Sequence, residues 1–462
     1  MLLPDLQPLS SLRRTFVRLG MAVAAGWASC GQAEDFSPVK TLAAASDRIS
    51  ESPAYAHALA GSLEWLDFGI ESRTRYEQRW NDYATPGLLS DDALVTRNLL
   101  WLGITEKLDP LRLFVEAEDS RRFFSDRTAD PNIETGLELI QAFAQLYWED
   151  ALAGLPLRIN AGRMAFDFVD RRLVARNRNR NTISAFDGLR IRLGEDATRW
   201  EVDAFALHPV ERIFDARDQA AENIWLAGLA AHWRGSSPHF IAEPYWLWLN
   251  QDNDRTTPMR RDIHTLGFHA FGRLGKEEAW DYDASLTWQW GTAQDSRHRA
   301  WAAHLEAGRT FDAPWKPRLA LWLNYASGDR TPGDGSNERF DPLFGASYAM
   351  YGFSGWFVWR NMLNTAVRLT FQPAARLRCE LLHRAYWLAS DTDAWTRGLR
   401  RDRTGGSGSF IGQAAEARLV WLVCGNLDFD LACSHFLPGG FTSGTGDAPA
   451  AHFFQAAATL KF

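Results

Sequence analysis

Arginine is the residue type whose chemistry stands out. Of the chain's 50 Lys and Arg residues only 5 are Lys. A guanidinium is a flat fork of N–H donors that meets a carboxylate through two hydrogen bonds at once. Genome base composition accounts for part of such an excess, so position has to carry the argument. Arg73 and Arg75, Arg190 and Arg192, and Arg376 and Arg378 recur at every second position, and Arg368 and Arg384 lie on similar runs. Carboxylates share these faces, among them Glu71, Glu380, Glu416, Asp428 and Asp430. Two readings stand side by side: a salt-bridged wall with no ligand, or a track for anions. The formal net charge is −7, so any attraction for anions has to be local.

The densest basic run is 170–182, which contains Arg171 and Arg172. It is either a solvated loop or one that folds inward to concentrate anions. Phe186-Asp187-Gly188-Leu189-Arg190 follows it. Arg163 shares the apolar parity of Leu157 and Ile159. Either a bulge at Gly162 turns it inward, or it lies near a membrane interface. Arg73, Arg75, Arg163, Arg171, Arg172, Asp187, Arg190, Arg192, Arg368, Arg378 and Arg384 are the candidate substrate contacts.

Other chemistries find no pattern to work with. The 11 His show no H-E-x-x-H spacing, and the sequence holds neither G-x-S-x-G nor a P-loop. His264 and His269, five apart, face opposite sides of a strand. No enzyme, cofactor, metal centre or nucleic-acid partner is expected. Asp329, Asp334, Asn337 and Asp341 carry hard oxygens, but their spacing departs from a calcium loop. Hydrogen bonding within the loop is the expectation there.

The elements that hold these residues show a period of two. Hydrophobic residues make up 46% of the chain, yet mean hydropathy is −0.29, so apolar and polar residues are interspersed. From 66 to 79, Leu66, Phe68, Ile70 and Tyr76 alternate with Asp67, Glu71, Arg73 and Arg75. Strict alternation marks a strand with one apolar face, and this length suits a tilted membrane-crossing strand of about 9–11 residues. Tyr282, Leu286, Trp288 and Trp290 repeat the pattern against Asp283, Thr287 and Gln289. Roughly 18 such segments follow one another, with short and long connections in alternation. That is an all-β, transmembrane antiparallel barrel with short periplasmic turns and long extracellular loops. An outward charge at the bilayer midplane costs about 2–4 kcal/mol, so the arginines must face inward, sit near strand ends or lie in loops. The chain's last strand, with Phe454, Ala456, Ala458, Leu460 and Phe462 on one face, resembles a barrel-assembly signal.

Residues 1–33 read as a signal peptide: Arg13-Arg14, an apolar stretch from Phe16 to Ala28, then small residues up to Ala33. Residues 34–61 read as a periplasmic segment and 62–462 as the barrel, placed in the bacterial outer membrane and in contact with its lipid. Cys379, Cys424 and Cys433 have no metal spacing, and each is expected to serve as a small apolar side chain.

One loop differs from the rest. After the thirteenth strand, Asn324 to Phe344 is rich in Gly, Asp and Pro yet closes on Phe340-Asp341-Pro342-Leu343-Phe344. Asp329, Asp334 and Asp341 are expected to shape a compact fold over the pore mouth, pinned by Phe340 and Phe344.

Two stretches carry a resemblance. Gly162-Arg163, Arg171-Arg172-Leu173, Asn181 and 186–190 form the first. Ala326-Ser327-Gly328-Asp329, Pro332-Gly333-Asp334-Gly335, 340–344 and Tyr351-Gly352 form the second. Together they resemble the alginate export family of outer-membrane proteins. The resemblance implies an 18-stranded barrel with an arginine-rich constriction that passes the uronate polymer alginate, helped by periplasmic export proteins. Uptake of small organic anions is the alternative expectation.

Overall fold

The computed structural model describes residues 65–85, 87–128, 130–195, 198–235, 239–253, 259–275 and 278–462. The expected signal peptide and periplasmic segment lie outside them. Eighteen long strands build one wall. They are β1 (Leu66–Trp80), β2 (Ser90–Ile104), β3 (Leu111–Phe123), β4 (Thr135–Leu152), β5 (Leu155–Met164), β6 (Phe186–Leu193), β7 (Trp200–Glu211), β8 (Ile224–Trp233) and β9 (Ile241–Gln251). Then come β10 (Arg261–Leu274), β11 (Trp280–Ala293), β12 (Ser296–Thr310), β13 (Arg318–Ala326), β14 (Met362–Ala374), β15 (Leu377–Trp387), β16 (Phe410–Cys424), β17 (Leu427–Pro438) and β18 (Ala451–Lys461). Neighbours in sequence pair antiparallel, and β18 returns to β1 with Lys461 opposite Glu71. Closure removes both sheet edges, the condition for a sheet to cross lipid.

Side-chain parity explains the wall. Glu71, Arg73 and Arg75 are buried inside, while Ile70 on the opposite parity is 46% exposed. On β11, Ser285, Thr287 and Gln289 are buried, whereas Leu286 and Trp288 are 51% and 56% exposed. Such an inverted distribution is stable only when the outer face meets hydrocarbon.

The interior departs from the expected polar lumen. Leu207, Leu226, Leu247 and Leu249 point inward from β7, β8 and β9 and are fully buried. They belong to one apolar core with Phe166, Phe168 and Val174 of the loop 165–185 and with Phe340, Tyr351, Trp356 and Trp359 of the loop 327–361. Both loops therefore turn into the barrel and fill its long-loop half. The second loop, expected over the mouth, lies inside because its aromatic rings would otherwise remain in water.

Cys379 and Cys433 carry free thiols.

Candidate functional site

Three wall arginines hold the first inward loop by its backbone. Arg73 donates to the carbonyls of Arg178 and Arg180 at 2.9 and 2.8 Å. Arg75 donates to the carbonyl of Asn179 at 2.6 Å. Arg97 of β2 reaches the Arg178 carbonyl at 2.7 Å and the Glu71 carboxylate at 2.7 Å. Further along the loop, Arg176 forks onto Glu116 at 2.7 and 2.8 Å. Both oxygens of Glu118 accept the Ile183 N–H. A polar loop inside a barrel needs such partners, since each unmet buried backbone group costs about 1–3 kcal/mol.

The second loop docks onto the first. The Phe344 N–H donates to the Leu173 carbonyl at 2.8 Å and the Ala346 N–H to that of Arg171 at 2.9 Å. Between them, Gly345 lies against the Arg172 carbonyl with no room for a Cβ. Phe340 meets Trp359 edge-on at 5.2 Å, and Phe344 meets Phe186 at 5.9 Å. Asp341 binds Arg261 at 2.8 Å and accepts the Leu343 N–H at 2.9 Å. Burial pushes the Asp341 carboxyl up, but Arg261 and Arg360 outweigh it and hold it at about 2. Arg384 binds Glu416 at 2.8 Å and donates to the carbonyls of Met350 and Ala349 at 3.2 and 2.8 Å. Asp334 caps its own turn by accepting the Ser336 N–H at 2.8 Å. The Asp329 N–H donates to Asp393 at 3.0 Å.

Below the two loops, toward the short-turn end, lies a cavity of about 400 Å³. Eleven cationic side chains line it against eight carboxylates. Arg171, Arg172, Arg178 and Arg180 come from the first loop, and Arg73, Arg75, Arg97, Arg368, Arg378, Arg418 and Lys461 from the wall. Glu380 is shared by Arg368 at 3.1 Å and Arg378 at 3.2 Å, and Asp430 binds Arg418 at 2.7 Å. Arg368 also lies over Trp322, 5.1 Å from the ring centroid. Arg172 is buried, 3.2 Å from the Tyr351 hydroxyl. The cavity thus offers guanidinium edges in a space that is only partly neutralised.

Of the eleven candidate contacts, Arg73, Arg75, Arg171, Arg172, Arg368 and Arg378 line this cavity. Arg190 does not: it forks onto Asp203 at 2.9 and 2.6 Å under the Phe166 ring, 4.0 Å away. Arg192 binds Glu201 at 2.6 Å, and Arg384 anchors the second loop. Arg163 and Asp187 pair at 2.7 and 2.8 Å on the parity of exposed Leu189 and Ile191. They face outward near the long-loop rim. These five hold the scaffold because each is paired with an opposite charge on a neighbouring strand. Sequence reasoning missed Arg97, whose inward neighbours Val95, Leu99 and Trp101 are apolar. Only its pairing with Glu71 across the sheet marks it. It also passed over Arg178, Arg180 and Arg418, although the alternation of Arg176, Arg178 and Arg180 was visible.

No curated relative matches the chain. Solved structures share the fold. OprD from Pseudomonas aeruginosa aligns with TM-score 0.58 at 10% identity, covering 86% of this chain and 94% of that one. OpdK from the same organism, solved with vanillate, aligns with TM-score 0.58 at 11% identity, covering 86% and 98%. OccAB3 from Acinetobacter baumannii aligns with TM-score 0.59 at 10% identity, covering 86% and 99%. Residues 64–455 match the alginate export family. A closed eighteen-stranded wall with a lipid-facing apolar surface and this match place the protein in the bacterial outer membrane. The chain belongs to the alginate export family.

Proposed function

We propose that the barrel exports an anionic polysaccharide of the alginate type, passively, with the arginine-lined cavity as its entry from the periplasm. The observation that carries this reading is the excess of eleven cations over eight carboxylates around the cavity. Family membership supports it. A uronate polymer presents one carboxylate per sugar. Arginines at successive depths give it several moderate sites, which conduction requires because binding must allow both entry and exit. The inward loops would have to move for a polymer to pass, so periplasmic export proteins are natural partners. No residue of the cavity is assigned a catalytic role.

A second reading is uptake of small organic anions. A cavity of about 400 Å³ lies at the low end of small-molecule sites, and OpdK was solved with a small carboxylate, vanillate. Planar-bilayer recording of the purified protein separates the two. Export of a uronate polymer predicts anion selectivity and block by oligouronates, both weakened in the double variant R171A/R178A. Block by small carboxylates with indifference to oligouronates favours uptake, and cation selectivity rejects both.

A further inference from the structure

Behind the cavity, a row of buried ionisable groups runs through the wall from β8 to β12. The Nδ1 of His232 lies 3.0 Å from Glu243 Oε1, and the Nδ1 of His269 lies 2.8 Å from Glu243 Oε2. On its other side, His269 Nε2 lies 3.1 Å from Asp283 Oδ1. The same Asp283 oxygen is 3.7 Å from His304 Nε2, and His304 Nδ1 is 2.7 Å from Asn324 Oδ1. Asp283 and His304 reach the cavity surface.

Counting hydrogens decides the state of this row. An ionised carboxylate and an amide oxygen only accept, so with Glu243 ionised each of the three Nδ1 atoms carries its hydrogen. A neutral imidazole has one N–H. If all three rings were neutral, the Nε2 atoms of His269 and His304 would both present lone pairs to Asp283 Oδ1. Three acceptors would then converge with no hydrogen among them, buried in the wall. One further proton is needed, and His269 is its natural holder: it is a stronger base than a carboxylate and touches one carboxylate through each ring nitrogen.

We propose that the barrel wall stores one proton on His269, bridging Glu243 and Asp283. Held there, it offsets one negative charge of the cavity wall and favours anions in the channel. The other charges facing the row have partners of their own. Glu201 beside His232 is held by Arg192 and Arg234. Arg172 faces Asp283 from the first inward loop and is bound to Asp170 at 3.2 Å. Tyr245 of β9 is bound to Thr287 at 2.7 Å, and β13 contributes the neutral Asn324 and Trp322, whose ring meets His304 edge-on at 6.1 Å.

The proton count is tested apart from any transported substrate. Full-length protein with ¹⁵N-labelled histidine, in micelles at neutral pH, should show one imidazole with both ring nitrogens protonated. That signal should vanish in His269→Gln and in Asp283→Asn, the second variant standing in if the first does not fold. Absence of any doubly protonated ring in the native protein overturns the proposal. In bilayers at neutral pH, anion-over-cation preference should be severalfold lower in His269→Gln than in the native protein. Equal preference in native and variant protein also overturns it. Failure of the export reading alone would leave the NMR result standing.

Discussion

Arg384 shows what a single buried side chain carries. It neutralises Glu416 and holds two carbonyls of the second inward loop. Arg384→Ala strands the carboxylate, a change that costs about 3–5 kcal/mol. The expected outcome is a lower heat-modifiability temperature on gels, with faster proteolysis at 349–353. Unchanged values would mean that Glu416 finds another partner. Asp341 carries a pH dependence of opposite origin. Its pKa falls from the ordinary 3.8 to about 2 in the folded barrel. Its contribution, roughly 2 kcal/mol, is therefore complete above about pH 4 and disappears as pH drops toward 2. Hydrogen exchange of residues 340–346 should accelerate over that window in the native protein. In Asp341→Asn the same exchange should be fast throughout.

At the scale of elements, Gly345 sits in the contact between the two inward loops. Gly345→Val needs space that the Arg172 carbonyl occupies, so the loops must separate. Larger single-channel conductance with the barrel still folded is expected. A variant that conducts like the native protein would show that these loops do not limit flow. The strands were legible before the structure because alternation is a local property: Leu66 to Arg79 reads as β1 residue by residue. The fate of the loops was not. Whether 165–185 turns inward depends on Leu207, Leu226 and Leu249, far away in sequence, presenting an apolar surface inside the barrel. β9 hid this further, since Trp246 and Trp248 on one face and Tyr245 and Leu247 on the other are all apolar. The candidate site was half legible for the same reason. A polar-face arginine announces its side of the strand but not its partner. Arg190 finds Asp203 on the next strand, while Arg368 reaches the cavity.

For the molecule as a whole, charge is divided between inside and outside. The chain carries −7 overall, while its cavity is lined by more cations than anions. Attraction for anions then acts at short range inside the barrel and not as a field around it. Raising salt from about 0.1 M to about 1 M shortens the screening length from about 10 to about 3 Å. The anion preference measured from reversal potentials should shrink over that range. Selectivity indifferent to salt would point to steric sieving by the loops instead.

The grip of Arg73, Arg75 and Arg97 on the carbonyls of 178–180 has one more consequence. Every amino acid has a backbone carbonyl, so this part of the wall's grip does not depend on the side chains at 178–180. The segment behaves as an interchangeable insert seated in a fixed socket. Related barrels could acquire new cargo by rewriting residues 178–180 alone, and an engineer could do the same, leaving the eighteen strands untouched.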